Sequence, residues 1–336
     1  MPTRKTPSYR TPQQSRAETA RPVTPFPSHS PVIGIDVGAT KIAAGIVHPD
    51  TGDIRFLLRI PTRRHVSPKE IVSDITAIVT QIMTAARQDA SNVEEIPQAV
   101  GIAVPELVDV AGKIRSAWNF PLPDLSQAIR EHTTLSFIRL ESDVRAGAFA
   151  EARYGSGRFC DNFAYFSLGS GTSYTLCLKG RPYKGAHGFA IHFASSSLAV
   201  PTEDCSRLSI AVPEDFASGL GMERLWTTRW GNQLKDGVHE LETLASAGDS
   251  RAQGVIEDAA SITGRLIAQT INMLDPEKII LGGGLGCSEG LYRQKLEEYI
   301  RANIWERSCA TIPILNAGLG EQSGIIGAAL SALATD

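Results

Sequence analysis

Hydrophobic positions change period along the chain, and each change marks an element. From Pro31, VIGIDVGATKIAAGIVHPDTGDIRFLLRIPT alternates apolar runs with polar breaks. It predicts a buried strand, a turn at Gly38, a second strand, a turn at Asp50–Asp53 and a third strand. PKEIVSDITAIVTQIMTAARQ then sets Ile71, Ile75, Ile78, Val79 and Ile82 on one face, the spacing of an amphipathic helix. QAVGIAVPELVD reads as a buried strand ending in a loop. IRLESDVRAGAFAEARYG reads as a strand that becomes a helix at Asp143.

The opening pattern returns about 130 residues later. FAYFSLGSGTSYTLCLKGRPYKG is again strand, glycine turn, strand, with a further turn at Lys179–Arg181. RAQGVIEDAASITGRLIAQTINMLD has strong helical spacing. PEKIILGGGLG is a buried strand running into glycines, and AGLGEQSGIIGAALSAL closes with a loop and an apolar helix. The repeat predicts a duplicated α/β architecture whose glycine turns face each other across a cleft between two halves.

Composition narrows the setting. A chain of 336 residues suits two domains of ordinary size. Residues 1–30 are rich in Pro, Ser, Thr and Arg and are expected to be a disordered tail. A net charge of −3 gives no pointer to nucleic acid or to an anionic membrane. No apolar run reaches the roughly 18 residues of a membrane span, and no apolar signal region opens the chain. Five scattered cysteines, an odd number, favour a reducing compartment, so a cytoplasmic protein is expected.

Three glycine turns are candidates for chemistry. In Asp36-Val37-Gly38-Ala39-Thr40-Lys41, an acid ends a buried strand before a tight turn. Gly38 lets backbone approach phosphate oxygens, Thr40 can donate to them, and Asp36 can hold Mg²⁺, through water. Gly169, Gly171 and Thr172 repeat the arrangement in the second half. Gly283 and Gly284 leave a strand end open to a flat ring. An ordinary turn is the alternative at each. Asp143 can take a proton from a hydroxyl that attacks phosphorus, or it can cap its helix.

In combination these segments resemble the ROK sugar kinases of the actin-like/hexokinase ATPase superfamily. IGIDVGATKIAAGIV is similar to that family's first phosphate motif, LESDVRAGAFAE to its E-N-D-A-N-A-A-A segment, and SLGSGTSYTLCLKGRPYKGAHG to its second phosphate motif. IILGGGLG and GLGEQSGIIGAAL resemble its adenosine-side elements. The resemblance covers about residues 31–336.

It implies two actin-like (ribonuclease H-like) domains: 31–137, joined by a C-terminal helix near 324–336, and 138–323. It implies ATP and Mg²⁺, Asp143 as the base, and phosphate binding at Asp36, Gly38, Thr40, Lys41, Gly169, Gly171 and Thr172. Gly283 and Gly284 fall on the nucleotide side. Asn119 and Glu214 match substrate positions, and a homodimer is implied.

Departures from the pattern also carry information. Gly188-Phe189-Ala190-Ile191-His192 aligns with G-E-x-G-H, which puts Phe189 where an acid grips sugar hydroxyls and keeps His192 in the substrate pocket. Ser142 replaces an asparagine. After Cys205, Arg207 and Val212 stand where the zinc motif asks for cysteines. A structural zinc takes four ligands, so none is expected. Packing of Leu198, Val200, Leu208 and Ile210 is expected to hold the loop instead.

These changes point to a polyol other than glucose. Some relatives phosphorylate C7 cyclitols. The expectation is therefore an ATP-dependent sugar or cyclitol kinase, with no membrane or nucleic-acid partner. The alternative is a ligand-binding pseudo-kinase or regulator; residues 1–30 are too short and Pro-rich for a helix-turn-helix.

Overall fold

The computed structural model describes residues 29–63, 67–89, 95–117, 119, 122, 125–133, 135, 137–201, 208–231 and 233–334. The tail expected over 1–30 lies almost wholly outside the described residues, as does Cys205.

The first sheet is built from β1 (Val32–Val37), β2 (Lys41–Val47), β3 (Ile54–Pro61), β4 (Ala99–Val104) and β5 (Phe137–Ser142), in the order β3-β2-β1-β4-β5. Helices α1 (Pro68–Asp89) and α2 (Leu125–His132) cover one face. Next come α3 (Asp143–Tyr154), then β6 (Asn162–Leu168), β7 (Thr172–Leu178) and β8 (Arg181–Pro182). A hairpin of β9 (Leu198–Pro201) and β10 (Leu208–Ala211) precedes α4 (Glu214–Ala217), α5 (Gly219–Trp230), α6 (Gly237–Ser246) and α7 (Ser250–Leu274). The chain ends with β11 (Ile279–Gly282), α8 (Gly283–Gly286), α9 (Leu291–Ala302), β12 (Ile314–Asn316) and α10 (Ser323–Leu333).

The second sheet has the order β12-β11-β6-β7-β8. Taken from its first strand, it repeats the first sheet: a hairpin to one side and two parallel strands to the other. This is the duplication expected from the two strand–glycine–strand segments.

Apolar residues cover both faces of each sheet. Ile33, Ile35, Ile75 and Ile82 share one core. Val32, Ala43, Ile325 and Ala329 share the opposite face, so α10 returns to the first sheet. Phe166, Leu281, Ile256 and Leu296 form the outer core of the second half. Val144, Ala148, Phe163 and Ile280 pack α3 on its inner face.

Helices α3 and α10 therefore fill the seam between the sheets. Gly34 and Gly101 explain how closely α10 sits: a Cβ there would lie 2.0 Å from the Ile325 carbonyl oxygen and 1.7 Å from that of Ala328. No side chain fits at either position.

Two expectations need correction. Strand β5 pairs in parallel with β4 over Ala99–Val104, so the first sheet extends to Ser142 and does not stop at 137. The residues of β5 read as a strand in the sequence, but the sheet they join is set by pairing with β4, which no local pattern encodes. The loop after Ala194 is also not held by apolar packing of Leu198 and Ile210, which are 42% and 72% exposed. The β9–β10 ladder holds it, closed at its base where the Glu214 amide donates to the Ala194 carbonyl at 3.0 Å.

Candidate active site

Strands β1, β4 and β5 run parallel, so their C-terminal ends share one edge. An acid lies at or just beyond each end: Asp36 at the penultimate position of β1, Glu106 after β4 and Asp143 directly after β5. On the second sheet, β6 delivers Gly169, Ser170 and Gly171 to the facing edge. Between them lies a cleft of about 260 Å³, lined among others by Gly38, Ala39, Glu106, Asn119, Asp143 and Gly171. His192, Ser195 and Glu214 line its second-half wall. Ligands in open α/β sheets occupy this strand-end position.

Asp143 begins α3 and accepts the Val144 amide at 2.7 Å. Burial pushes its carboxyl up to about 6; Glu106 adds to the rise, while the Val144 amide and the Arg145 guanidinium oppose it. Burial also pushes Asp36 up to about 7, with Asp143 as a second cause and Lys41 acting against it. Asp36 lies against the first turn of α10, where a Cβ on Gly324 would sit 2.4 Å from its Oδ2. The amino end of a helix favours an acid there. Two neighbouring, partly shielded carboxylates that resist ionisation are short of positive charge, which suits a divalent cation.

Among the described residues no three His, Cys, Asp or Glu side chains converge as a metal cage. Mg²⁺ needs none, since it binds through one or two carboxylates, water and substrate phosphates.

The glycine turns are more occupied than the sequence suggests. The Gly38 amide closes its own hairpin on the Lys41 carbonyl at 2.9 Å, and its carbonyl accepts the Thr62 hydroxyl. Gly169 donates to the Gly171 carbonyl, and the Thr172 amide to Glu214 Oε1 at 2.9 Å. Among the described residues, the Ser170 and Gly171 amides have no partner. The Thr172 hydroxyl is buried without one. Thr40 is exposed beside the turn, and Lys41 is paired with Glu321 at 2.5 Å. Gly283 and Gly284 lie outside the cleft lining, beside Leu168 at the end of β6; no atom approaches within 4 Å of a Cβ built on Gly284.

Glu214 joins the second turn to the rest of the second-half wall. Its Oε1 holds Thr172, and its Oε2 accepts the Ser195 hydroxyl at 2.7 Å. His192 Nδ1 lies 3.4 Å from the same hydroxyl. Burial lowers the His192 pKa against the pull of Glu214, so the ring is neutral near pH 7.

Phe189 is not at this wall. Gly188, at φ +90°, turns the chain, and Phe189 leaves the cleft 38% exposed. Ser142 is likewise fully buried behind the cleft, its hydroxyl unpartnered. Asn119 donates to the Pro105 carbonyl at 2.6 Å and its amide to Glu106 Oε1 at 2.6 Å. Glu106 and Ser195 escaped the sequence reading. An acid just past a buried strand, as at Asp143, was the available signal for Glu106; Ser195 had none.

Comparison with known proteins agrees with this geometry. The sequence profile of the ROK family matches residues 32–335. N-acetylgalactosamine kinase AgaK of Shewanella sp. is 28% identical over 88% of this chain and 95% of its own. N-acetylmannosamine kinase of Escherichia coli is 26% identical over 89% and 97%. The ROK hexokinase from Thermus thermophilus superposes with a TM-score of 0.71 at 26% identity, over 90% of this chain and 97% of that one. Together with the paired sheets, these likenesses give the chain the actin-like/hexokinase ATPase fold. The chain is a member of the ROK family.

Proposed function

We propose that this chain is an ATP-dependent kinase that phosphorylates a hydroxyl of a sugar or sugar-like polyol. The observation that carries the reading is the meeting of the two glycine turns across one cleft that Asp143 lines. Relatives named as sugar kinases along nearly the whole chain support it.

Asp143, ionised above about pH 6, orients the acceptor hydroxyl and takes its proton as the oxygen bonds to phosphorus. The Ser170 and Gly171 amides and the Thr172 hydroxyl supply donors for phosphate oxygens. Gly38 contributes close backbone approach without its own amide. Asp36 would hold Mg²⁺ through water, and the cation supplies charge neutralisation to the phosphates. Gly284 leaves an open surface for the base, while Gly283 packs against the Leu168 backbone. Thr40 and Lys41 border the first turn.

Among the described residues the cleft lining contains no Lys or Arg. An acceptor carrying a phosphate or carboxylate would meet the acids Glu106, Asp143 and Glu214 with no cationic side chain in that lining, which favours an acceptor that is uncharged or carries an amine. Asn119, neutral His192, Ser195 and Glu214 offer donors and acceptors to its hydroxyls. This set suits a neutral or amino polyol, and with Phe189 and Ser142 outside the lining the case against glucose falls away, so glucose and a C7 cyclitol both belong in the panel. A homodimer is proposed by family likeness.

A ROK transcriptional regulator shares the fold with a TM-score of 0.71 at 19% identity. That fold-level likeness keeps ligand binding without turnover as the rival. Incubation with ATP, Mg²⁺ and a panel of neutral sugars, amino sugars, cyclitols and uronic acids separates them by acceptor-dependent ADP release. ADP with a neutral or amino acceptor supports the kinase. Ligand-induced stabilisation with no ADP across the panel supports the rival.

A further inference from the structure

Arg145 is the largest fully buried side chain among the described residues, 1% exposed, two positions beyond Asp143 on α3. A guanidinium in such a place must have its donors satisfied. Its Nε donates to Glu141 Oε1 on β5 at 2.6 Å. Its Nη2 donates to the Val108 carbonyl at 2.9 Å, and its Nη1 to the Gly188 carbonyl. Val108 belongs to the loop after β4, on the first half. Gly188 belongs to the loop after β8, on the second. The two loops touch, since a Cβ on Gly188 would lie 2.5 Å from the Val108 oxygen. Glu141 Oε1 also accepts the Ser142 amide at 3.0 Å, fixing the junction that delivers Asp143.

Each loop feeds the cleft just beyond its contact with Arg145. Leu107 precedes Val108, while Ile191 and His192 follow Gly188; all three line the wall. We infer that Arg145 is a positioning residue: it pins the acceptor-side loops of both halves to the helix that begins with Asp143, and so sets the width of the acceptor end. It does not line the cleft itself. A planar fork reaches three partners in different directions, which a lysine ammonium on one stem cannot do. The glycine turn at Gly169–Thr172 is held by α5, whose Gly219 and Leu220 amides donate to the Gly169 and Ser170 carbonyls, so the nucleotide end has anchors that the pin does not supply.

The effect on turnover rests on the kinase reading; the effect on the loops does not. The test uses full-length Arg145→Lys and Arg145→Ala, with native far-UV circular dichroism required of the variant scored. Amide hydrogen exchange should quicken in 105–109 and 185–192 and stay unchanged in 169–172. The acceptor KM should rise roughly tenfold or more with the ATP KM unmoved, since misplacing a reacting group by about 1 Å costs up to about 10²-fold. Added guanidinium ion should restore part of the loss in Arg145→Ala. If that variant does not fold, Arg145→Lys alone decides.

Exchange in both loops equal to wild type would overturn the inference. So would quickening spread evenly over the chain with both KM values raised together, the mark of general destabilisation. If the wild type phosphorylates nothing, the kinase reading fails while exchange still decides the role of Arg145.

Discussion

At the scale of single residues, Asp36 and Asp143 are held in a state that the folded chain alone makes costly. Both carboxyls are pushed up from the ordinary aspartate value, to about 7 and about 6. Between that ordinary value and the raised one, the folded state holds protons that the unfolded state has lost. Stability of the unliganded protein therefore falls as pH rises from about 4 to about 7, and the penalty is complete above that. Asp36→Asn should raise unliganded stability at pH 8 by on the order of 2 kcal/mol, discounted because Asp36 is partly open to solvent, and by little at pH 4. Urea titrations at the two pH values read the difference. Turnover has the opposite sense: the base must be ionised, so kcat should fall below about pH 6 along a limb set by Asp143. A kcat independent of pH between 5 and 8 would remove Asp143 from that role.

At the scale of elements, α10 is the piece on which the arrangement depends. It closes the first sheet, touches α3 and presents its amino end to Asp36. Its approach is permitted by Gly34 and Gly101 on neighbouring strands, and by its own Gly327, where a Cβ would lie 1.7 Å from the Ala146 carbonyl oxygen. Gly101→Val should destabilise the fold by about 3 kcal/mol or more, because the neighbouring atoms are backbone and cannot rotate away. Chemical denaturation of the variant measures this.

The elements themselves were legible in the sequence. Buried strands beside glycine turns announced β1–β2 and β6–β7, and the strand–helix junction announced Asp143. The strand before Asp143 was legible too, but its membership of the first sheet was not, because pairing with β4 is a tertiary contact. The wall of the cleft was less legible. Phe189 and His192 are three residues apart on one loop, and the left-handed turn at Gly188 sends only one of them inward. Spacing within an irregular loop carries no facing information, whereas spacing within a strand or helix does. Ser195 and Arg145 acquire their roles from partners 19 to 43 residues away, which no local pattern encodes.

At the scale of the molecule, two sheets of one topology meet along α3 and α10, and the cleft takes its two walls from the two halves. Asp36, Glu106 and Asp143 come from the first sheet and its junctions; the Gly169–Thr172 turn and the His192–Ser195–Glu214 wall come from the second half. Closure of such a cleft around substrate excludes water and limits wasteful hydrolysis. The β9–β10 hairpin and the Glu214 contacts brace the second wall. Elemental analysis of purified protein should find zinc well below one per chain; a tightly bound stoichiometric zinc would show that other ligands have replaced the motif's cysteines.

The central claim is transfer of a phosphoryl group to a polyol hydroxyl with Asp143 as base. The most direct measurement is mass spectrometry of the acceptor after incubation with Mg-ATP and either wild type or Asp143→Asn, once a panel has supplied an acceptor. The wild type should add one phosphoryl group to the acceptor. Asp143→Asn should keep wild-type folding and lose roughly 10²- to 10⁴-fold in rate. A folded Asp143→Asn variant that phosphorylates the acceptor at the wild-type rate would contradict the account.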